Sequence, residues 1–144
     1  MDYKEHAIIV IKNNEGKYLQ YFDERWDSFL FPNCKLVDEN HFDNIFKILK
    51  DKFGFDVASD DVTFCMDKVH SKFSESNKIM KTYKHYFYNV KFSDNMKSLV
   101  EDVVNKGLFV EWMTIAEMKK SARIMQVNSD IVGFVEEIEN TPKI

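Results

Sequence analysis

Apolar and polar residues alternate in runs along the chain. The first run, Ala7-Ile8-Ile9-Val10-Ile11, is an unbroken β-branched stretch. Such a run reads as a buried strand. Asn13-Asn14-Glu15-Gly16 reads as a turn, because Asn and Gly tolerate positive φ. Residues 17–22 then return as a second strand, which predicts a hairpin. Residues 26–31 look extended and stop at Pro32, and a loop follows.

The period then changes. Phe42, Ile45, Phe46, Leu49 and Phe53 form one apolar stripe, which predicts a helix over 41–53. Asn40 suits its N-cap, with Asp43 as the partner three residues on, and Gly54 suits its C-terminal stop. Residues 62–73 and 79–92 read as two long strands joined through the polar segment 74–78. In the second of them, Tyr83, His85, Phe87 and Asn89 share one face, and Lys84, Tyr86, Tyr88 and Val90 the other. Residues 108–113 predict a further strand, and Thr114-Ile115-Ala116-Glu117 is a capping box opening a short helix. A last helix is expected from near Asn128, burying Ile131, Phe134, Val135 and Ile138. The sum is an α/β (α+β) sandwich with a mixed sheet, expected as a single domain over 1–144.

Composition narrows the function classes. The chain has 144 residues and a net charge of −4, which argues against extended nucleic acid as a partner, though not against a small phosphorylated ligand. No apolar run is long enough to span a membrane, and the first residues carry no secretory pattern. Cys34 and Cys65 make neither a disulfide framework nor a zinc site, so a reducing cytoplasm is the expected location.

The stretch from Pro32 to Phe55, PNCKLVDENHFDNIFKILKDKFGF, resembles the box of the Nudix hydrolase superfamily. That pattern runs Gly, five residues, Glu, seven residues, Arg-Glu, apolar, any, Glu-Glu, any, Gly, apolar. Aligned back from Gly54 and Phe55, Glu39 falls on the first Glu, Lys47 on the Arg, Leu49 on the apolar position and Asp51 on one of the paired Glu. The opening strands and the stretch Val110-Glu111-Trp112-Met113-Thr114-Ile115-Ala116-Glu117-Met118 also resemble that fold, so the likeness covers roughly residues 5–119. It implies an α/β/α sandwich around a mixed central sheet, with the box as loop-helix-loop. It also implies a nucleotide-like small molecule as ligand, and Mg²⁺ or Mn²⁺ if the chain is an active pyrophosphatase.

The departures bear on that chemistry. The opening Gly falls on Asn33, or on Cys34 if the loop is one residue short; one Glu is Ile48 and the last Glu is Lys52. Hard divalent cations want carboxylate and other oxygen ligands. The metal's task is to neutralise phosphate and activate water. An apolar residue and an ammonium at two of three ligand positions weaken such a site.

Three readings follow. The first is a nucleotide- or phosphometabolite-binding or interaction module with lost or weak hydrolase activity, no metal, and Lys47, Lys52, Tyr83 and His85 as ligand contacts. The second is an active metal-dependent hydrolase of nucleoside diphosphate derivatives, with Glu39 and Asp51 catalytic and Asp51, Glu39, Glu101 and Asp102 on the metal. The third is a scaffold that forms a homodimer through a sheet edge or the acidic C-terminal helix. Each candidate also has a plainer role: Glu39 complements the helix dipole, the lysines form a solvated face, and the aromatic residues pack the core.

Overall fold

The computed structural model describes residues 4–74 and 78–141. Among the described residues, seven strands form two sheets. One sheet has the order β4-β1-β6-β5, built from Asn33–Lys35, Lys4–Val10, Ile79–Val90 and Val62–Ser74. The other has the order β3-β2-β7, built from Ser28–Leu30, Tyr18–Asp23 and Val110–Met113. β1 runs parallel to β6 and antiparallel to β4, so the larger sheet is mixed, as expected. The helices are α1 (His41–Ile48), α2 (Asn95–Asn105), α3 (Ile115–Lys120) and α4 (Ala122–Asn140).

Side-chain alternation in β1 divides the core. Ala7 and Ile9 are buried with Ile45, Leu49 and Phe53 on the side of α1. Ile8 and Val10 are buried with Phe87, Ile131 and Val135 on the side of α4. The β6 faces fall as the sequence predicts: Tyr88 and Val90 join the first group and Phe87 the second. A bulge decides which way β5 faces. Phe64 opposes Tyr88, but Met66 opposes Phe87, so Cys65 is the extra residue. Beyond it, Lys68, His70 and Lys72 lie on the α4 side with His85 and Tyr83.

Several expectations are corrected. The expected turn at 13–16 forms, closed by Asn13 N–H to Lys17 O and Leu19 N–H to Ile11 O, but beyond the Lys12–Tyr18 bridge β1 and β2 diverge into different sheets. Residues 24–27 form a turn, so the stretch expected to be extended over 26–31 is a strand at Ser28–Leu30, and β4 occupies part of the expected loop after Pro32. The expected helix over 41–53 is α-helical only to Ile48 and continues as a π-helical turn over Leu49–Phe53. Its limits hold: Asn40 Oδ1 accepts from the Asp43 N–H at 3.2 Å, and Gly54 closes the end at φ +74°, where a side chain would be strained. The Thr114 capping box is formed with Glu117. The last helix joins two segments across a break at Asn128, whose φ is −135°: the second starts where the sequence predicts, and the segment from Ala122 before it was not expected. The turn between β5 and β6 lies partly outside the described residues.

Candidate functional site

A cavity of about 310 Å³ opens between β1, β6 and α4. Strand alternation builds its walls. Lys4 and His6 come from β1, Lys81, Tyr83 and His85 from β6, and Lys72 from β5. Parallel pairing sets His6 beside His85 and Lys4 beside Tyr83. The turn after β2 adds Arg25 and Trp26; Asn33, Phe31 and the α4 residues Val127, Asn128 and Ile131 complete the lining. The break in α4 lies at Asn128, which is buried. The guanidinium of Arg123, also on α4, donates to the carbonyls of Trp26 and Asp27 and so ties that turn to the helix.

The electrostatics of this cavity run against the net charge of the chain. Lys4, Arg25, Lys72 and Lys81 line it, and no Asp or Glu does so among the described residues. Asp23 lies beneath Arg25, paired at 3.2 Å, and Asp130 pairs with Lys72 at 3.1 Å. The flat groups are Trp26, Phe31, Tyr83 and the imidazoles, with Tyr83 and His85 nearly parallel at 16°. The lining therefore combines cationic donors for phosphate with rings on which a base can stack.

Burial keeps the imidazoles neutral. Desolvation lowers His85 to about 3, and the neighbouring His70 and His6 push in the same direction. Desolvation also lowers His6 and His70. In the unfolded chain a histidine titrates near pH 6.5. Between those values the unfolded chain binds the extra proton, so stability is whole above about pH 6.5 and is lost as pH falls toward 3. The melting temperature should fall between pH 6.5 and pH 4 in scanning fluorimetry, with a shallower slope in His85→Phe. An unchanged slope in that variant would contradict the assignment.

The box residues are arranged differently. Ile48 packs against the core, Asp51 is exposed, and Lys52 lies with its Nζ 4.0 Å from the centre of the Tyr21 ring. Burial lowers the Lys52 pKa, while the Asp23 carboxylate supports its charge. The π-helical turn takes positions 51 and 52 off the α-helical spacing that would align them with 48. Glu39 lies with Glu5, Asp38 and His41 along a separate depression. Glu101 and Asp102 are exposed on α2. Among the described residues no three His, Cys, Asp or Glu side chains are grouped to hold a metal ion. The residues at the box do not fit a divalent cation: one position is apolar, one is an ammonium over a ring, and one carboxylate stands alone.

Of the expected ligand contacts, Tyr83 and His85 line the large cavity. Lys47 is exposed on α1 and lines none of the cavities described here, while Lys52 lines a second depression with Asp23 and Arg25. Arg25 borders both spaces. The sequence reading missed Lys4, Arg25, Lys72, Lys81 and Asn128. The alternations Lys4-His6-Ile8 and Lys81-Tyr83-His85 carried a signal, but only the parallel pairing of β1 with β6 adds them together. Cys34 is pushed up to about 11 by burial, so it is a thiol and no nucleophile at neutral pH.

This arrangement of sheets and helices has known counterparts. The structure matches C. elegans Ap4A hydrolase with a TM-score of 0.57 and 11% identity, over 96% of this chain and 97% of that one. It matches the MutT protein from Methanosarcina mazei Go1 with a TM-score of 0.64 and 8% identity, over 96% of each. The NUDIX domain of Shewanella oneidensis NrtR, solved in complex with ADP ribose, matches with a TM-score of 0.62 and 9% identity, over 95% of this chain and 88% of that one. The chain has the Nudix fold. Neither a protein-family model nor a curated protein sequence matches it, so the likeness is one of architecture. Within this Nudix fold no described helix is long and apolar enough to cross a membrane.

Proposed function

We propose that the chain binds a nucleotide derivative in the cavity between β1, β6 and α4, with no divalent cation on the box helix and with diphosphate hydrolysis lost or weak. The observation that carries this reading is the lining: four cationic side chains beside Trp26, Phe31 and Tyr83, in a chain of net charge −4. A cavity of about 310 Å³ is within the ordinary size of ligand sites. Ap4A and ADP ribose, named with two of the structural counterparts, both join phosphates to planar bases. Lys52 and Arg25 also reach into the depression beside the box, where Asp23 and Glu24 balance their charge. Two thiols without a disulfide support a cytoplasmic setting.

The test is thermal stabilisation by ADP ribose in chelator and in Mg²⁺. A ligand at one hundred times its Kd stabilises by about 2.7 kcal/mol. The expected result is the same shift in both buffers. A shift seen only with Mg²⁺ would overturn the metal-free reading.

A second reading, self-association, draws support from the far end of β5 and β6. Val69, Phe73, Ile79 and Met80 are each more than half exposed there. The acidic face of α4 supports it less: Glu136, Glu137 and Glu139 are held within the chain by Lys119, Lys68 and Tyr18. Light scattering that finds only monomer at high concentration would remove this reading.

A further inference from the structure

Behind the cavity wall lies a chain of polar groups that phosphate binding does not use. His70 Nδ1 lies 3.2 Å from a carboxylate oxygen of Asp130, and His70 Nε2 lies 2.7 Å from His85 Nδ1. Lys72 reaches the same Asp130 carboxylate at 3.1 Å. His85 lines the cavity.

We propose that Asp130 and His70 are positioning residues that fix His85 with its Nε2 lone pair turned to the cavity, and that this nitrogen selects ligands offering a neutral N–H or O–H donor. The inference rests on the cavity being the ligand site, and it names what that ligand must present besides phosphate.

Hydrogen-bond inventory sets the direction of the chain. An ionised carboxylate only accepts, so His70 Nδ1 carries its proton. In a neutral ring His70 Nε2 then accepts, and His85 Nδ1 must donate to it. His85 Nε2 is left without a proton, as an acceptor. Neutrality of both rings follows from their surroundings. Lys72 on β5 supplies the positive charge that Asp130 on α4 requires. His6 on β1 is a second half-buried imidazole beside His85, itself faced by Lys4 and Lys35. Lys68, opposite His85 on β5, turns toward Glu137 and the Phe134 ring. Phe134 also meets His70 edge-on at 5.6 Å, which limits that ring's rotation.

A phosphate oxygen gains nothing from a neutral lone pair. A base amino group or a ribose hydroxyl gains a hydrogen bond. The cavity thus has a cationic part for phosphate, with Lys4 and Lys81, and a neutral acceptor for the remainder of the molecule. The bulge at Cys65 is what makes this geometry, because it brings His70 and Lys72 to the α4 side.

Two measurements test the proposal. Long-range ¹⁵N–¹H correlation of the imidazoles at pH 7.5 should show the Nδ1–H form for both His70 and His85, and His70→Phe should return His85 to a mixture of forms. His85 carrying its proton on Nε2 in the unmodified chain would overturn the relay. Calorimetry with ADP, ribose 5-phosphate and pyrophosphate then reads selection. His85→Phe should weaken ADP about tenfold, the worth of one neutral hydrogen bond, and leave pyrophosphate unchanged. A matching loss for ribose 5-phosphate assigns the donor to a hydroxyl; a loss for ADP alone assigns it to the base. Equal losses for ADP and pyrophosphate would overturn selection. If none of the three binds the unmodified chain, the cavity reading fails and selection fails with it, while the spectrum still decides the relay.

Discussion

Phe53→Ala should lower the unfolding free energy by about 3–5 kcal/mol, the usual cost of removing a buried phenyl ring. Phe53 is fully buried in the π-helical turn. Its ring stacks on Phe55 at 5.4 Å and meets Tyr21 edge-on at 6.1 Å. It belongs to the core cluster that includes Ile9 and Val90 of one sheet and Leu19 and Tyr21 of the other. Truncation leaves a cavity that its neighbours fill only in part. The urea midpoint should drop at an unchanged m-value. Val37→Ala, at a side chain 74% exposed in the box loop, should move stability by no more than about 0.5 kcal/mol. A small change in Phe53→Ala would mean that the π-helical turn is not the keystone of this side of the core.

Lys81→Glu should weaken ADP ribose about a hundredfold. A charge-assisted hydrogen bond is worth about 1.5–3 kcal/mol, and reversal replaces attraction with repulsion. Lys81 lies on β6 at the cavity wall, two residues before Tyr83. Lys119→Glu makes the same change in net charge elsewhere, at a residue paired with Glu136. It should leave affinity nearly unchanged. Calorimetry at constant ionic strength compares the two, since screening alters both. Similar losses in both variants would mean that the overall field, not this cavity, attracts the ligand.

Local signals in the sequence carried much of the fold. The Asn40 cap, the Gly54 stop and the Thr114–Glu117 box are short-range hydrogen-bonding devices, and each is formed. The two faces of β6 followed from alternation alone. What was not legible depends on distant pairing or on backbone irregularity. The stretch 95–105 carried Met96, Leu99, Val100 and Val103 at helical spacing and still went unread, because polar residues interrupt it. The separation of β1 and β2 into two sheets is set by partners far along the chain, β6 and β7. The widened turn at Leu49–Phe53 leaves the apolar stripe intact, so periodicity could not reveal it.

The candidate site divides in the same way. Tyr83 and His85 were readable as one strand face, and the structure places both on the cavity. The substitutions Ile48 and Lys52 were readable from spacing, and their packing on the core and on Tyr21 was not. Asp130 and His70 stood far apart in sequence, and only the bulge at Cys65 and the approach of α4 join them to His85.

In the proposed function this Nudix fold holds a nucleotide derivative without metal-driven hydrolysis. The most direct test is product release from ADP ribose and Ap4A with Mg²⁺, Mn²⁺ or chelator, beside Asp51→Ala, while thermal shift monitors occupancy in the same samples. The expected result is ligand stabilisation in every buffer, with no release above the Asp51→Ala level. Metal-dependent release that disappears in Asp51→Ala would contradict the account and make Asp51 a working ligand.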